Sequence, residues 1–274
     1  MSQLKTAFFA VAAVVASSGT TLAAAELKPE TLAAYERYVA ATEARIASER
    51  AGTTPFLWID RQPPAQRAGL MARLTRGEVV VGSLQTTIGG KEIEIRDGLV
   101  HHWVGTVLMP GVSLDRAVSY VQDYDRYPQI FSPMIQRAHV LKHEQDHYTV
   151  AMRTYVKKVI SVVMDGDYVV DYTRLGPTRL VTTNIATNLQ QIADAGTPSE
   201  SRTPTERASG YLWRFRMYCA FDERPEGSLE QCESVSLTRS VPLMASWFIS
   251  PFVTGIPRDA IEFTLGQVRR GLVK

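Results

Sequence analysis

Apolar and polar positions along the chain alternate between a helical period and a strand period. In KPETLAAYERYVAATEARIASER, Leu32, Tyr35, Val39, Thr42 and Ile46 recur at steps of three and four with charges between them. That spacing predicts a helix with one narrow apolar stripe, packed on the rest of the chain; a docking helix for a partner is the alternative. AGTTPFLWIDRQPP breaks the pattern, and AQRAGLMARLTRG predicts a second short helix ending at Gly77. From Glu78 the period shortens: EVVVGSLQTTIGGKEIEIRDG predicts two short strands joined through Gly89-Gly90, and LVHHWVGTVLMPG a longer one. A helical face returns at Leu114, Ala117, Val118, Val121 and Tyr124, with Ser113 as N-cap and Asp115 in the first turn. Pro128 forbids its continuation.

From Met134 to Val241 strands dominate. HYTVAMRTYV alternates Tyr148, Val150 and Met152 against Thr149, Ala151 and Arg153. KVISVVM, DYVVDYTRL and TRLVTTNIATNLQQI are β-branched runs separated by Asp165-Gly166 and Gly176-Pro177. AGTPSESRTPTERASG, residues 195–210, is polar and predicts a long, mobile surface loop. YLWRFRMYCAF and CESVSLTRSV predict a hairpin, and a closing helix begins with Pro257 in its first turn and carries Ala260, Ile261, Leu265, Val268 and Leu272 on one face. The predicted order is strand, helix pair, meander of about six strands, long terminal helix.

The cysteines sharpen the hairpin. The midpoint between Cys219 and Cys232 falls between Pro225 and Glu226, inside a turn, so a hairpin sets them opposite each other and an oxidising compartment favours their disulfide. The same register sets Trp213 across from Thr238, Phe215 from Ser236 and Met217 from Ser234, so large side chains stand beside small hydroxyls on one face. The opening stretch agrees with export: Lys5, an apolar run over Ala7–Ala16 and small Ala23 and Ala25 resemble a signal peptide over residues 1–25. Its run is short of the roughly 20 residues a membrane span needs. The expected location is outside the cytoplasm, in a periplasm. Removing Lys5 with this leader takes the formal charge from +2 to +1, which offers nucleic acid no broad target.

Three stretches carry a family likeness: HHWVGTVLMPGVSLDRAVSYVQDYDRYPQIFSPMI, the central meander, and VPLMASWFISPFVTGIPRDAIEFTLGQVRRGLVK. Together they resemble the START and Bet v 1-like superfamily, which includes lipid-transfer domains and polyketide cyclases. The resemblance implies an α+β helix-grip fold over residues 99–274, with a curved antiparallel sheet wrapped around the long C-terminal helix and an apolar cavity between them. Residues 26–98 would be an N-terminal extension of helices and short strands. The implied cavity lining is Tyr127, Ile130, Phe131, Met152, Trp213, Phe215, Met217, Phe248, Phe252 and Phe263, with core packing as the alternative at each. Pro128 and Pro133 would fix the turn that carries the first three.

Candidate chemistry is thin. His139, His143 and His147 are four apart, but they fall on a strand, turn and strand, where exposed turn histidines are the simpler reading. Of His101 and His102, one enters the cavity or both serve polar packing. Arg153, Asp165, Asp171 and Tyr172 are polar groups that no motif places together, and no nucleophile elbow, phosphate loop, dinucleotide fingerprint or zinc motif occurs. No catalytic residue, metal or cofactor is assigned. Residues 241–257 are the most apolar stretch after the leader; burial over the cavity, a gate and contact with a bilayer are the readings open to them. The expectation is an exported, non-enzymatic binder or carrier of a hydrophobic small molecule or lipid, with a cyclase-like or hydrolytic enzyme and a ligand-free interaction domain as the alternatives.

Overall fold

A computed structural model describes residues 26–157, 161–207, 212–240 and 243–273, with no side chains for 243–254. The leader-like stretch, Phe248 and Phe252 therefore lie outside the described residues or side chains. Helices α1 (Pro29–Arg50) and α2 (Pro64–Thr75) precede β1 (Val80–Ser83), the small hairpin β2 (Thr87–Ile88) and β3 (Lys91–Glu92), and the long β4 (Gly98–Pro110). Then come α3 (Leu114–Val121), α4 (Tyr127–Ile130), β5 (Ile135–Glu144), β6 (His147–Lys157), β7 (Ser161–Arg174) and β8 (Arg179–Ala193). The short β9 (Ser201–Pro204), the hairpin β10 (Arg214–Arg224) and β11 (Gly227–Arg239), and α5 (Leu243–Leu272) close the chain.

The strands join one antiparallel sheet in the order β1-β4-β11-β10-β8-β7-β6-β5, with β9 added beside β8. The first long strand thus pairs with the last, and the meander runs back from it, which is the helix-grip order. Helix α5 packs on β4, β11 and β1 and against α3 and α4. Its seat is Gly105: a Cβ there would run into Ile261 and Leu265 of α5, so only glycine lets the helix come so close. Gly105 pairs with Cys232, and that cysteine bonds Cys219 across the β10–β11 ladder at a Cα separation of 4.1 Å, the register expected from the sequence.

The opposite, outer face of the sheet is covered by α1. Tyr35, Tyr38, Val39 and Ile46 of its apolar stripe are buried with Tyr218, Val235 and Leu237, at about 1.5–3 kcal/mol for each large side chain. A polar network is buried in the same seam. His102 Nε2 meets Glu233 Oε1 at 2.6 Å, and its Nδ1 meets the Tyr38 hydroxyl at 2.8 Å. Arg45 of α1 donates to both Glu233 and Glu49, and Arg61 donates to Glu49. Burial pushes the Glu233 carboxyl up, and the His102 and Arg45 contacts outweigh it, so the pKa ends lowered. The apolar stripe of α1 is consumed by the sheet and is not a free docking surface.

Several elements differ from the sequence expectation. Helix α5 begins at Leu243, well before the start expected at Pro257, and passes through Pro251, which a proline rule reads as a stop. Asp165-Gly166 does not divide two strands but lies inside β7, because a side chain at Gly166 would strike Leu189 and the Tyr168 ring. The region of residues 195–210 is not a bare loop: Ser201–Pro204 pairs with β8 and Thr205–Arg207 forms a 3-10 turn. Of residues 78–98, β1 joins the large sheet and only β2–β3 turns through Gly89-Gly90. Glu233→Ala should lower stability by about 1–3 kcal/mol in denaturant titration, because it leaves the buried His102 Nε2 without its partner, while Arg45 keeps Glu49. A loss under about 1 kcal/mol would show that this seam does not hold α1.

Candidate functional site

The candidate site is the inner face of the sheet, the side that meets α5, and alternation along β11 determines what it offers. Odd residues Leu229, Gln231, Glu233, Val235 and Leu237 face α1 and α2, while Ser228, Glu230, Cys232, Ser234, Ser236 and Thr238 face inward and are all buried. The seat at Gly105 and Cys232 divides this inner file into two ends.

At one end the apolar wall stays partly open. Phe215 and Met217 stand opposite Ser236 and Ser234, as the disulfide register requires. They are partly buried, as are Val162, Ala186, Trp103 and Phe263 of α5 around the same inner cluster. Tyr168 meets Phe215 edge-on with ring centroids 6.4 Å apart. His101 lies at this end, its Nε2 2.9 Å from Thr238 Oγ1; burial pushes its pKa down to about 4, so the ring is neutral at pH 7. Of the two neighbouring histidines, His101 faces inward and His102 outward.

At the other end an aromatic group closes the sheet beneath α3 and α4. Tyr127 packs on Tyr124 at 4.9 Å and on Phe131 at 4.7 Å between ring centroids, and Tyr148 touches Tyr124 and Tyr172. Their hydroxyls are committed: Tyr127 donates to Val121 O at 2.6 Å, and Tyr124 pairs with Tyr172 at 2.8 Å. Burial holds all three phenols well above their ordinary range. Glu230 enters the same end, paired along the ladders with Val107 and Phe221 and only 4% exposed. Its Oε2 has no hydrogen-bond partner, and burial pushes its pKa up to about 8. Oε1 is 3.6 Å from Cys232 Sγ, but a bridged sulfur has no hydrogen to donate. For the same reason the grouping of Cys219, Cys232 and Glu230 offers a metal no thiolate while the disulfide stands.

The structure brings Tyr127, Ile130, Phe131, Met152, Phe215, Met217 and Phe263 to one inner cluster. Trp213 is the correction. The chain bends one residue before β10, the Trp213 N–H donates to Leu237 O at 2.7 Å, and the indole lies beneath α1 with Tyr35 and Val39, on the outer face. A cavity of about 350 Å³ also opens on the outer face, away from α5, lined by Arg137, His139, Arg153, Asp165, Asp167 and Arg202 among others. There Arg153 forks onto both Asp165 and Glu200 and so pins the β9 segment to the sheet. His147 pairs with Asp171, His143 stacks on Tyr148, and the three spaced histidines share no site. Sequence reasoning missed Glu230, although its signal was present: Cys232 faces inward by register, so the residue two before it does too.

No protein-family model matches the chain, and no curated protein matches it in sequence. Among solved structures it is similar to a STAR-related lipid transfer protein from Xanthomonas axonopodis, at 16% identity over 71% of this chain and 93% of that one, with a TM-score of 0.46. Human STARD10 gives 10% identity, 76% and 80% coverage and a TM-score of 0.42. The Zhui aromatase/cyclase from Streptomyces gives 11%, 63% and 95%, and 0.41.

Glu230 links stability to pH with a definite sign. Its folded pKa of about 8 lies above the unfolded value of 4.5, so its contribution is fully present below pH 4.5 and is lost as pH rises through 8. Glu230→Gln cannot ionise. Its melting temperature should draw level with wild type in acid and exceed it by more than about 5 °C above pH 8. Parallel curves for the two proteins would contradict a buried, unpaired carboxyl.

Proposed function

We propose that this chain is an exported binder or carrier of a hydrophobic small molecule or lipid, held against the inner face of the sheet. The observation that carries the reading is the partly open apolar wall of Phe215, Met217, Ala186, Val162 and Phe263, which continues directly into the buried core. Apolar surface left in water costs about 25 cal/mol per Å², and a guest that covers it recovers that energy. The bonds that hold the fold do not compete for the site, because the ion pairs of Glu233, Glu49 and Arg153 lie on the outer face. The Cys219–Cys232 disulfide supports folding in an oxidising compartment. Among the described residues no helix is long and apolar enough to cross a membrane. Residues 241–257 are the segment whose composition suits transient contact with a bilayer during loading.

Protein purified without detergent should release an apolar compound on organic extraction, seen by mass spectrometry, and the emptied protein should take up pyrene. Phe215→Ala and Met217→Ala should each weaken pyrene uptake by about tenfold, or ~1.4 kcal/mol. Protein that is empty in every preparation and indifferent to pyrene would overturn the reading.

A further inference from the structure

We propose that the cavity on the outer face of β5, β6, β7 and β8 is a second binding site, one that takes a small zwitterion of the ω-amino acid kind. It lies on the face of the sheet away from α5, and neither this site nor the inner-face reading depends on the other.

The register of the meander builds the site. Arg137, Arg153 and Asp165 stand side by side on β5, β6 and β7, and one step along the same face come His139, Ala151 and Asp167, followed by Asn188 on β8. All of them line the cavity of about 350 Å³, with Arg202 of β9 beside them. Ala151 is the smallest side chain of its row, so it leaves open space between His139 and Asp167.

The two rows carry opposite charge. In the first, three guanidiniums share two acids. Arg153, only 8% exposed, forks onto Asp165 and Glu200. Arg137 and Arg202 come within 3.9 and 3.2 Å of the same Asp165 carboxylate, yet their side chains stay 61% and 55% exposed. One positive charge is left over. In the second row Asp167 accepts from the Asn188 amide at 3.0 Å, and among the described residues no cation pairs with it. One negative charge is left over there. The clamp that pins β9 runs through Arg153, Asp165 and Glu200, so Arg137 and Asp167 are spare to the fold.

The rows lie two residues apart, roughly 7 Å along the strands. A cavity that is neutral as a whole but polarised over that distance matches a molecule built the same way. A carboxylate on the ligand would accept from Arg137 and Arg202, and an ammonium group a few bonds away would donate to Asp167. A simple anion would meet Asp167 and a simple cation the arginines, so each is disfavoured by a like charge.

Three molecules with the same four-carbon chain test this: 4-aminobutanoate carries both charges, and butanoate and 1-aminobutane carry one each. The titrations are followed by NMR at low salt, where charges that face solvent are least screened. In wild type, 4-aminobutanoate should shift the Ala151 methyl and the Asn188 side-chain amide, and should bind at least tenfold more tightly than either relative. Asp167→Asn should erase its advantage over butanoate, and Arg137→Gln should cut its advantage over 1-aminobutane at least threefold. Equal affinity for the three molecules, an advantage over butanoate that survives Asp167→Asn, or unmoved Ala151 and Asn188 resonances at saturating 4-aminobutanoate would overturn the proposal. Should a variant fail to fold, the wild-type comparison and the position of its shifts decide alone. Pyrene uptake, measured separately, reports on the inner face and is expected to be unchanged in both variants.

Discussion

The close approach of α5 to the sheet at Gly105 is the constraint on which the rest depends. A helix is a rod about 10 Å across, and the distance at which it rests on a sheet is ordinarily set by the side chains between them. Here one of those side chains is missing, and Ile261 and Leu265 settle onto the bare backbone of β4 beside Cys232. The contact fixes the helix over β1, β4 and β11. The apolar inner residues of β6, β7, β8 and β10 belong to the same cluster, some packed with the aromatic group and others, such as Phe215, Met217 and Ala186, only partly buried.

The two faces of β11 are treated differently. Its odd side chains are saturated by α1 and α2, through apolar packing around Val235 and Leu237 and through the Glu233 network. Its even side chains are small or polar and, in Glu230, unsatisfied. The ion pairs that fasten α1 lie outside, while the largest buried apolar cluster lies inside, between the sheet and α3, α4 and α5. The N-terminal helices therefore cover the outer face of the large sheet over β4, β10 and β11 and leave its inner face to α5.

Much of this was legible in the sequence wherever the period was local. The α1 stripe, the Ser113 cap, which accepts from Arg116 N, and the β10–β11 register follow from spacing alone. What failed depended on contacts across the fold. Gly166 reads as a break until Tyr168 and Leu189 are seen to need its space. Glu200 reads as loop until Arg153 reaches it from β6. Trp213 obeys strand parity on paper, but the pleat begins one residue later and the indole turns to α1. The true start of α5 was hidden because Pro257 reads as a first-turn residue and Pro251 as a stop.

The claim that a guest lies on the inner face is tested most directly by methyl resonances of the methionines, which sample both faces. Met217, Met152 and Met164 belong to the inner cluster, while Met71 of α2 lies in the outer one. On addition of pyrene, ring-current shifts should appear at Met217 first, extend to its inner-face neighbours and spare Met71. Shifts confined to Met71, or no shift at any methionine with saturating pyrene, would contradict the account.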